Sequence, residues 1–288
     1  MITFILDIIG FVVACIGASA RMWFAHVLAF VAFDVLRVRR KLVMHNLQRV
    51  FGTQTAAHDL ARLGRNSLSN FILTSLEFFG ARRIFPKQSI EIEYPERMRE
   101  VLNRGRGAYA MVIHSGNFEM MAYGFSREFG PIHAPVKSVG KGQMAAWVKR
   151  KRAESGMSEI VNEQGGLRSR SARIINALKQ NQVVGFMVDQ RRSKGVLIPF
   201  FGELAWTNSG LFYLWKQYAA AIIPVTIRRA GLNHHIITIH DEFAVLEKDD
   251  WKFDQFVLEN SKKMNSCVES LVIQNPQEYF WMHDRWKK

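Results

Sequence analysis

Apolar positions along the chain follow two patterns, one before Pro86 and another after it. Residues 56–80 carry leucines and phenylalanines at helical spacing, and the pattern stops at Gly80, which predicts one helix with a glycine after its last turn. Beyond Pro86, short apolar runs alternate with amphipathic stretches, and this alternation predicts an α/β fold with a largely parallel central sheet flanked by helices. The predicted elements cover 109–113, 118–129, 132–136, 143–154, 168–180, 183–188, 210–218, 222–227, 235–239 and 253–273.

The first residues form two apolar segments. Residues 2–20 are interrupted only by Thr3 and Asp7, which gives about 19 residues, near the lower limit for a helix that spans a bilayer. Residues 22–33 form a second segment that is too short to span. We expect a hydrophobic membrane-anchor helix here, and a pair of buried core helices is the alternative.

A basic cluster follows the second apolar segment, and the positive-inside rule places such a cluster on the cytoplasmic side. It consists of Arg37, Arg39, Arg40 and Lys41. We therefore expect a membrane anchor with its basic flank over residues 1–41 and one domain over residues 42–288 that lies on the cytoplasmic side of the membrane.

Composition narrows the possible partners. The chain has 39 Lys and Arg against 25 Asp and Glu, a net charge of +14 that should attract lipid phosphates, an acidic carrier protein or nucleic acid. The basic residues are dispersed and no aromatic-basic recognition module appears, which argues against nucleic acid. Cys15 and Cys267 are too few for a disulfide framework or a thiolate zinc site, so a reducing compartment fits best.

The most informative motif is His114-x4-Glu119, directly after the apolar run 109–113. On one straight helix the two side chains would point about 140° apart. If the run is a buried strand and a helix begins near Phe118, both side chains reach the crevice outside a sheet. A histidine held by a carboxylate in a cleft is a general base, whereas a helix-capping histidine beside an ordinary acid is the alternative.

A second strand end carries polar residues as well. The run 183–188 leads into Asp189 and Gln190, and Arg191 follows them. Ends of parallel strands meet at one edge of a sheet, so the two motifs outline one cleft for an anionic ligand.

Several other chemistries are excluded by position or spacing. The glycine pattern of residues 105–110 precedes a strand where a dinucleotide fingerprint should follow one, and no nucleophile elbow of a serine hydrolase occurs. The histidines at 234, 235 and 240 fit no zinc spacing, so a polar edge strand is expected there and no metal.

In order and spacing, the motifs resemble those of the bacterial lipid A biosynthesis lauroyl/myristoyl acyltransferases, a branch of the glycerolipid acyltransferase superfamily. The resemblance spans nearly the whole chain. It rests on His114-x4-Glu119, Asp189-Gln190, Gly195, Pro199-Phe-Phe-Gly202, Ala221-Ile-Ile-Pro224 and the closing segment from Trp281 to Lys287. The Gly116-Asn117-Phe118 context is closer to members of the branch that acylate other lipids.

The resemblance implies transfer of a fatty acyl chain from acyl carrier protein or acyl-CoA to a hydroxyl of a glycolipid, above all a lipid A precursor. The donor would be a co-substrate, and no cofactor is implied. His114 would take the hydroxyl proton while Glu119 orients the ring, and Gly116 and Asn117 would donate to the oxyanion.

Basic side chains are candidates to bind the phosphates of the acceptor or of a phosphopantetheine donor. These candidates are Lys137, Lys149, Arg150, Arg152, Arg191, Arg192 and Lys194. Asp189 and Gln190 would line the substrate cleft, with Asp189 as a structural acid that closes the site. Two other functions stay open: acylation of a mannosylated inositol, amino-acid or aryl polyene lipid, and noncatalytic binding to anionic membrane or nucleic acid.

Overall fold

The computed structural model describes residues 2–52, 55–161 and 166–287, apart from the side chain of Leu167. The outer ends of the two predicted domains, Met1 and Lys288, lie outside these ranges. The helices are α1 (Ile2–Cys15), α2 (Ala18–Phe30, continued by a π-helical turn Val31–Val35), α3 (Arg40–Phe51), α4 (Ala57–Phe79), α5 (Ala81–Ile84), α6 (Pro95–Asn103), α7 (Phe118–Phe129), α8 (Gln143–Glu154), α9 (Gly166–Lys179), α10 (Gly210–Gln217) and α11 (Phe253–Gln274).

The strands form one large sheet and a separate hairpin. The strands are β1 (Ser89–Glu93), β2 (Ala108–Val112), β3 (Ile132–Ala134), β4 (Met157–Glu159), β5 (Val183–Met187), β6 (Arg191–Phe200), β7 (Glu203–Thr207), β8 (Ala221–Gly231) and β9 (His234–Ile239). The large sheet has the order β1-β9-β8-β2-β5-β3-β4, and all neighbours are parallel except β8 and β9. The predicted α/β class with a largely parallel sheet and flanking helices is confirmed.

Strand β2 lies inside the sheet and contributes to both sides of the core. All five of its residues are buried. Tyr109 and Met111 pack into the core that includes α9, α10 and α11, whereas Ala110 and Val112 pack into the core that includes α6 and α7. Successive side chains of a strand point to opposite faces, so a central strand covered on both sides is apolar throughout.

The polar edge-strand prediction for residues 234–242 is wrong in one respect. Strand β9 is internal, because β1 pairs with it on one side and β8 on the other. The sequence of β1 alternates only two isoleucines with polar residues, a weak signal for a strand. Strand β9 therefore has a neighbour that its own sequence does not reveal, and His235 is fully buried.

The amino-terminal segment also departs from the expectation. The apolar segment 2–20 is divided, since α1 ends at Cys15 and α2 begins at Ala18. The buried Arg21 donates to the Ile16 carbonyl, so the arginine closes the bend between the two helices. Among the described residues, one helix, Ala18–Val35, is long and apolar enough to cross a membrane.

Helices α1 and α2 pack against α4 and leave their other faces exposed. Gly10 lies so close to the Phe79 carbonyl that any side chain at this position would collide with it. Large apolar residues are exposed on the opposite side; among them are Phe4, Ile8, Phe11, Trp23, Phe24 and Phe30. The two helices thus have one face on the body of the protein and one apolar face without cover from the described residues.

Candidate active site

The register of β2 and β5 brings His114 to Asp189. Val112 is the partner of Met187, so the second residue after each strand end faces the other. The backbone N–H of His114 donates to Asp189 Oδ2 at 3.1 Å, and its ring Nδ1 lies 2.9 Å from Asp189 Oδ1. The Asp189 side chain is 2% exposed and that of His114 19%. The carboxylate is therefore enclosed, whereas the imidazole reaches the surface of the cleft.

The electrostatics of the pair follow from this geometry. Burial alone would lower the pKa of His114, but the charge and the hydrogen bond of Asp189, with a smaller contribution from Glu119, raise it above its ordinary value. Burial would raise the pKa of Asp189, but His114 brings it below its ordinary value. An Nδ1–H held by Asp189 leaves Nε2 as the basic atom of the ring.

Three side chains surround the remaining edge of the imidazole. Gln190 Nε2 lies 3.3 Å from His114 Nε2. The rings of Phe118 and Phe280 lie against the imidazole, with centroid distances of 5.3 and 6.5 Å. The ring is thus fixed in orientation by one hydrogen bond and by aromatic packing, and Gln190 lies against its Nε2 atom.

The Glu119 carboxylate contacts Arg152 rather than the imidazole, so its expected role in orienting the ring stays a prediction. Its carboxylate accepts from Arg152, with Nη2 to Oε1 at 2.6 Å and Nε to both oxygens at 3.2 Å. Arg152 also donates to Glu159 at 2.8 Å. Burial opposes the charge of Arg152, but Glu119 and Glu159 raise its pKa above the ordinary value. Helix α7 turns the Glu119 side chain towards α8, so Glu119 acts on His114 by charge across a distance.

Gly116 and Asn117 shape the turn between His114 and α7. The Gly116 N–H donates to the Glu278 carbonyl at 3.2 Å. Asn117 is fully buried; its Oδ1 accepts from the Met120 N–H at 2.9 Å, and its Nδ2 donates to Glu77 Oε2 at 2.7 Å. The Gly116 N–H and the Asn117 side chain therefore already have partners, as expected for a cap at the start of α7, and the expectation that backbone N–H groups of this turn bind the oxyanion stays a prediction.

The predicted phosphate-binding residues are not brought together. Arg150 of α8 binds Asp7 of α1 at 2.6 Å and so ties α8 to the amino-terminal helix. Side chains two residues apart on a helix point about 200° apart, so Arg150 and Arg152 contact different parts of the protein. Lys137 is exposed in the segment after β3. Arg191 lies beside the site, but its Nε donates to the Lys287 carbonyl at 2.8 Å.

Two buried charged residues of this region were not predicted from the sequence patterns. Glu77 and Arg229 form a buried ion pair behind the turn, with Arg229 Nη2 2.7 Å from Glu77 Oε2. A carboxylate inside the apolar helical stripe of residues 56–80 is the signal that marks Glu77. Within the described ranges, no group of three histidine, cysteine or acidic side chains forms a metal site.

A histidine whose Nδ1 faces a buried carboxylate at the carboxyl end of parallel strands has the geometry that a general base requires. The profile of the family described as "Bacterial lipid A biosynthesis acyltransferase" matches residues 1–288. The chain belongs to this family of acyltransferases of lipid A biosynthesis, and the resemblance seen in the motifs is confirmed.

Curated relatives cover most of the chain at low identity. The lipid A biosynthesis lauroyltransferase of Escherichia coli K12 is 24% identical over 270 residues, which is 89% of this chain and 81% of the relative. The lipid A biosynthesis palmitoleoyltransferase of the same organism and a lipid A biosynthesis acyltransferase of Shigella flexneri are each 23% identical over 265 residues, 88% of this chain and 80% of the relative.

Proposed function

We propose that the protein transfers a fatty acyl chain from the thioester of acyl carrier protein or acyl-CoA to a hydroxyl of a lipid A precursor, with His114 as general base. The observation that carries this proposal is the His114–Asp189 pair at the adjacent ends of β2 and β5, with 2.9 Å between Nδ1 and Oδ1. The family supplies the reaction class, and the pair supplies a base at the cleft.

The chemistry proceeds without a covalent enzyme intermediate. His114 Nε2 takes the proton of the acceptor hydroxyl as its oxygen attacks the thioester carbonyl. The tetrahedral intermediate then collapses, the carbon–sulfur bond breaks, and the imidazolium returns the proton to the leaving thiolate. Asp189 keeps the ring in the required tautomer and stabilises the imidazolium. General-base assistance of this kind contributes roughly 10²- to 10⁴-fold to the rate.

Glu119 and Arg152 have a supporting role in this proposal. Glu119 adds a negative charge that favours the imidazolium, and it is among the groups that raise the pKa of His114. Arg152 neutralises Glu119 in part and fixes α7 against α8 through a contact of 2.6 Å to Glu119, while its contact of 2.8 Å to Glu159 joins α8 to β4. The pair thus sets the strength of the base without touching it.

The proposed location is the cytoplasmic face of the bacterial inner membrane. The uncovered apolar faces of α1 and α2 are suited to a lipid surface, and the basic residues between α2 and α3 are suited to its phosphates. The net charge of +14 also favours an acidic carrier protein as donor. The anchor would then lie in the interface plane, since α1 and α2 both pack along α4.

The test is an acyl-transfer assay with purified protein, in which mass spectrometry identifies the lipid product. Lauroyl carrier protein and lauroyl-CoA are offered separately as donors, with a lipid A precursor as acceptor. We expect the acceptor mass to increase by one acyl group and the rate of His114→Ala to fall by at least ~10²-fold. His234→Ala, a change of an exposed histidine on β9, is the matched control. Transfer by His114→Ala at the full rate would contradict the mechanism.

A further inference from the structure

Behind the His114 turn, one buried carboxylate connects three elements of the fold. Glu77 of α4 has a side chain that is 2% exposed. Its Oε2 accepts from Asn117 Nδ2 at 2.7 Å, and Arg229 of β8 binds both of its oxygens, at 3.0 and 2.7 Å. Glu77 is therefore the shared partner of the helix cap after His114 and of a strand beside β2.

The turn itself is held from the same side. The Gly116 carbonyl accepts from Asn70 and Thr74 of α4, both at 3.4 Å. Gly116 has a φ of +59° and lies so close to the Ile227 carbonyl that a side chain would collide with it. The backbone between His114 and α7 thus has little room to shift as long as α4 and β8 stay in place.

Two arginines, Arg229 and Arg21, balance the negative charge of Glu77. Arg21 of α2 is buried, and its charge interacts with those of Glu77 and Arg229. Among the described residues, the buried Nε atoms of both arginines have no hydrogen-bond acceptor. Removal of the Glu77 charge would leave two cations unpaired in the interior, a costly arrangement.

We propose that Glu77 is a positioning residue for acyl transfer: through Asn117 it sets the distance between His114 and the reacting groups. The proposal rests on the proposed function. Glu77 Oε2 accepts a hydrogen bond from the side-chain amide of Asn117, which caps α7. Helix α7 follows the turn that carries His114. Displacement of a catalytic group by about 1 Å can cost roughly 10²-fold in rate, so loss of this one hydrogen bond should act on kcat.

A pair of double variants separates positioning from charge burial. Both E77Q/R229M and E77M/R229M remove the ion pair, so neither leaves Arg229 as an unpaired buried cation, and both take the Glu77 charge away from Arg21 to the same extent. They differ in whether residue 77 keeps an oxygen that accepts from Asn117. We expect kcat of E77Q/R229M to exceed that of E77M/R229M by about 30-fold or more, with KM for the donor within about threefold. Equal kcat values in two folded variants would overturn the proposal.

Hydrogen exchange of the backbone gives a readout that does not depend on activity. In E77M/R229M we expect amides of residues 115–121 to exchange at least about tenfold faster than in E77Q/R229M, while those of β5 stay protected in both. E93Q is the matched control, because Glu93 pairs with Arg228 at 3.3 Å, next along β8 from Arg229, and does not contact the turn. Equal exchange in the two double variants overturns the positioning role, whatever the rates are. Absence of transfer by the wild type would refute only the proposed function, because exchange still decides the role of Glu77.

Discussion

The edge between β2 and β5 and the interface between α7 and α8 each hold a buried carboxylate near His114, but the two carboxylates have different partners. Asp189 contacts the imidazole directly, with 2.9 Å between Oδ1 and Nδ1, and no arginine or lysine pairs with it among the described residues. Glu119 meets Arg152 at 2.6 Å, and that arginine also holds Glu159. Glu119 is closer to His114 along the chain, yet Asp189 is the acid that contacts the imidazole. The difference shows that the other partners of an acid, such as Arg152 for Glu119, determine which acid is available to a histidine.

Among the variants that test this comparison, Asp189→Asn should lower kcat the most. The amide keeps the shape of the side chain but removes the charge that favours the Nδ1–H tautomer and the imidazolium. We expect kcat to fall roughly 10²- to 10⁴-fold, with a small change in KM, in a steady-state acyl-transfer assay. A fall of less than threefold would mean that Asp189 only closes the site.

A smaller effect is expected from Glu119→Gln. The change removes a negative charge that acts on His114 without contact, and a single interaction of this strength is worth about tenfold in kcat. Glu159→Gln is the matched control, because Glu159 also binds Arg152, at 2.8 Å, but is not among the groups that shift the pKa of His114. If Glu119→Gln lost more activity than Asp189→Asn, Glu119 and not Asp189 would be the principal acid.

The smallest effect is expected from Arg150→Gln, two residues before the arginine that binds Glu119. Arg150 is half exposed and pairs with Asp7, so its loss removes a surface ion pair of about 0.2–1 kcal/mol. We expect kcat and KM to stay within about twofold and Tm to drop slightly in a thermal unfolding scan. A large rise in KM for the donor would instead place Arg150 at the substrate.

The sequence predicted the frame of this site well because the relevant elements are strongly patterned. The buried strand before His114 is apolar throughout, and α7 and α8 begin and end at the predicted residues. The carboxyl end of the second strand also followed from an apolar run that stops at a polar pair. Elements with mixed patterns were missed, and β1 is the clearest case.

Contacts within the site were harder to predict because they depend on strand order. The position of Asp189 opposite His114 requires that β2 and β5 be neighbours, although 75 residues separate the two side chains. Glu119 is close in sequence, but the rotation of α7 presents it to Arg152. Neither fact can be obtained from spacing along one segment, so the sequence alone did not place Asp189 beside the imidazole.

The measurement that tests the central claim most directly is the pH dependence of kcat for the wild type, Asp189→Asn and Glu119→Gln. The base must be neutral, and because the pKa of His114 is raised, the wild-type rate should fall with decreasing pH already above the ordinary value of about 6.5. Without Asp189, burial dominates and lowers that pKa, so we predict that the acidic limb moves to lower pH. The shift should be larger for Asp189→Asn than for Glu119→Gln. A larger shift for Glu119→Gln, or an unchanged limb in Asp189→Asn, would contradict the account.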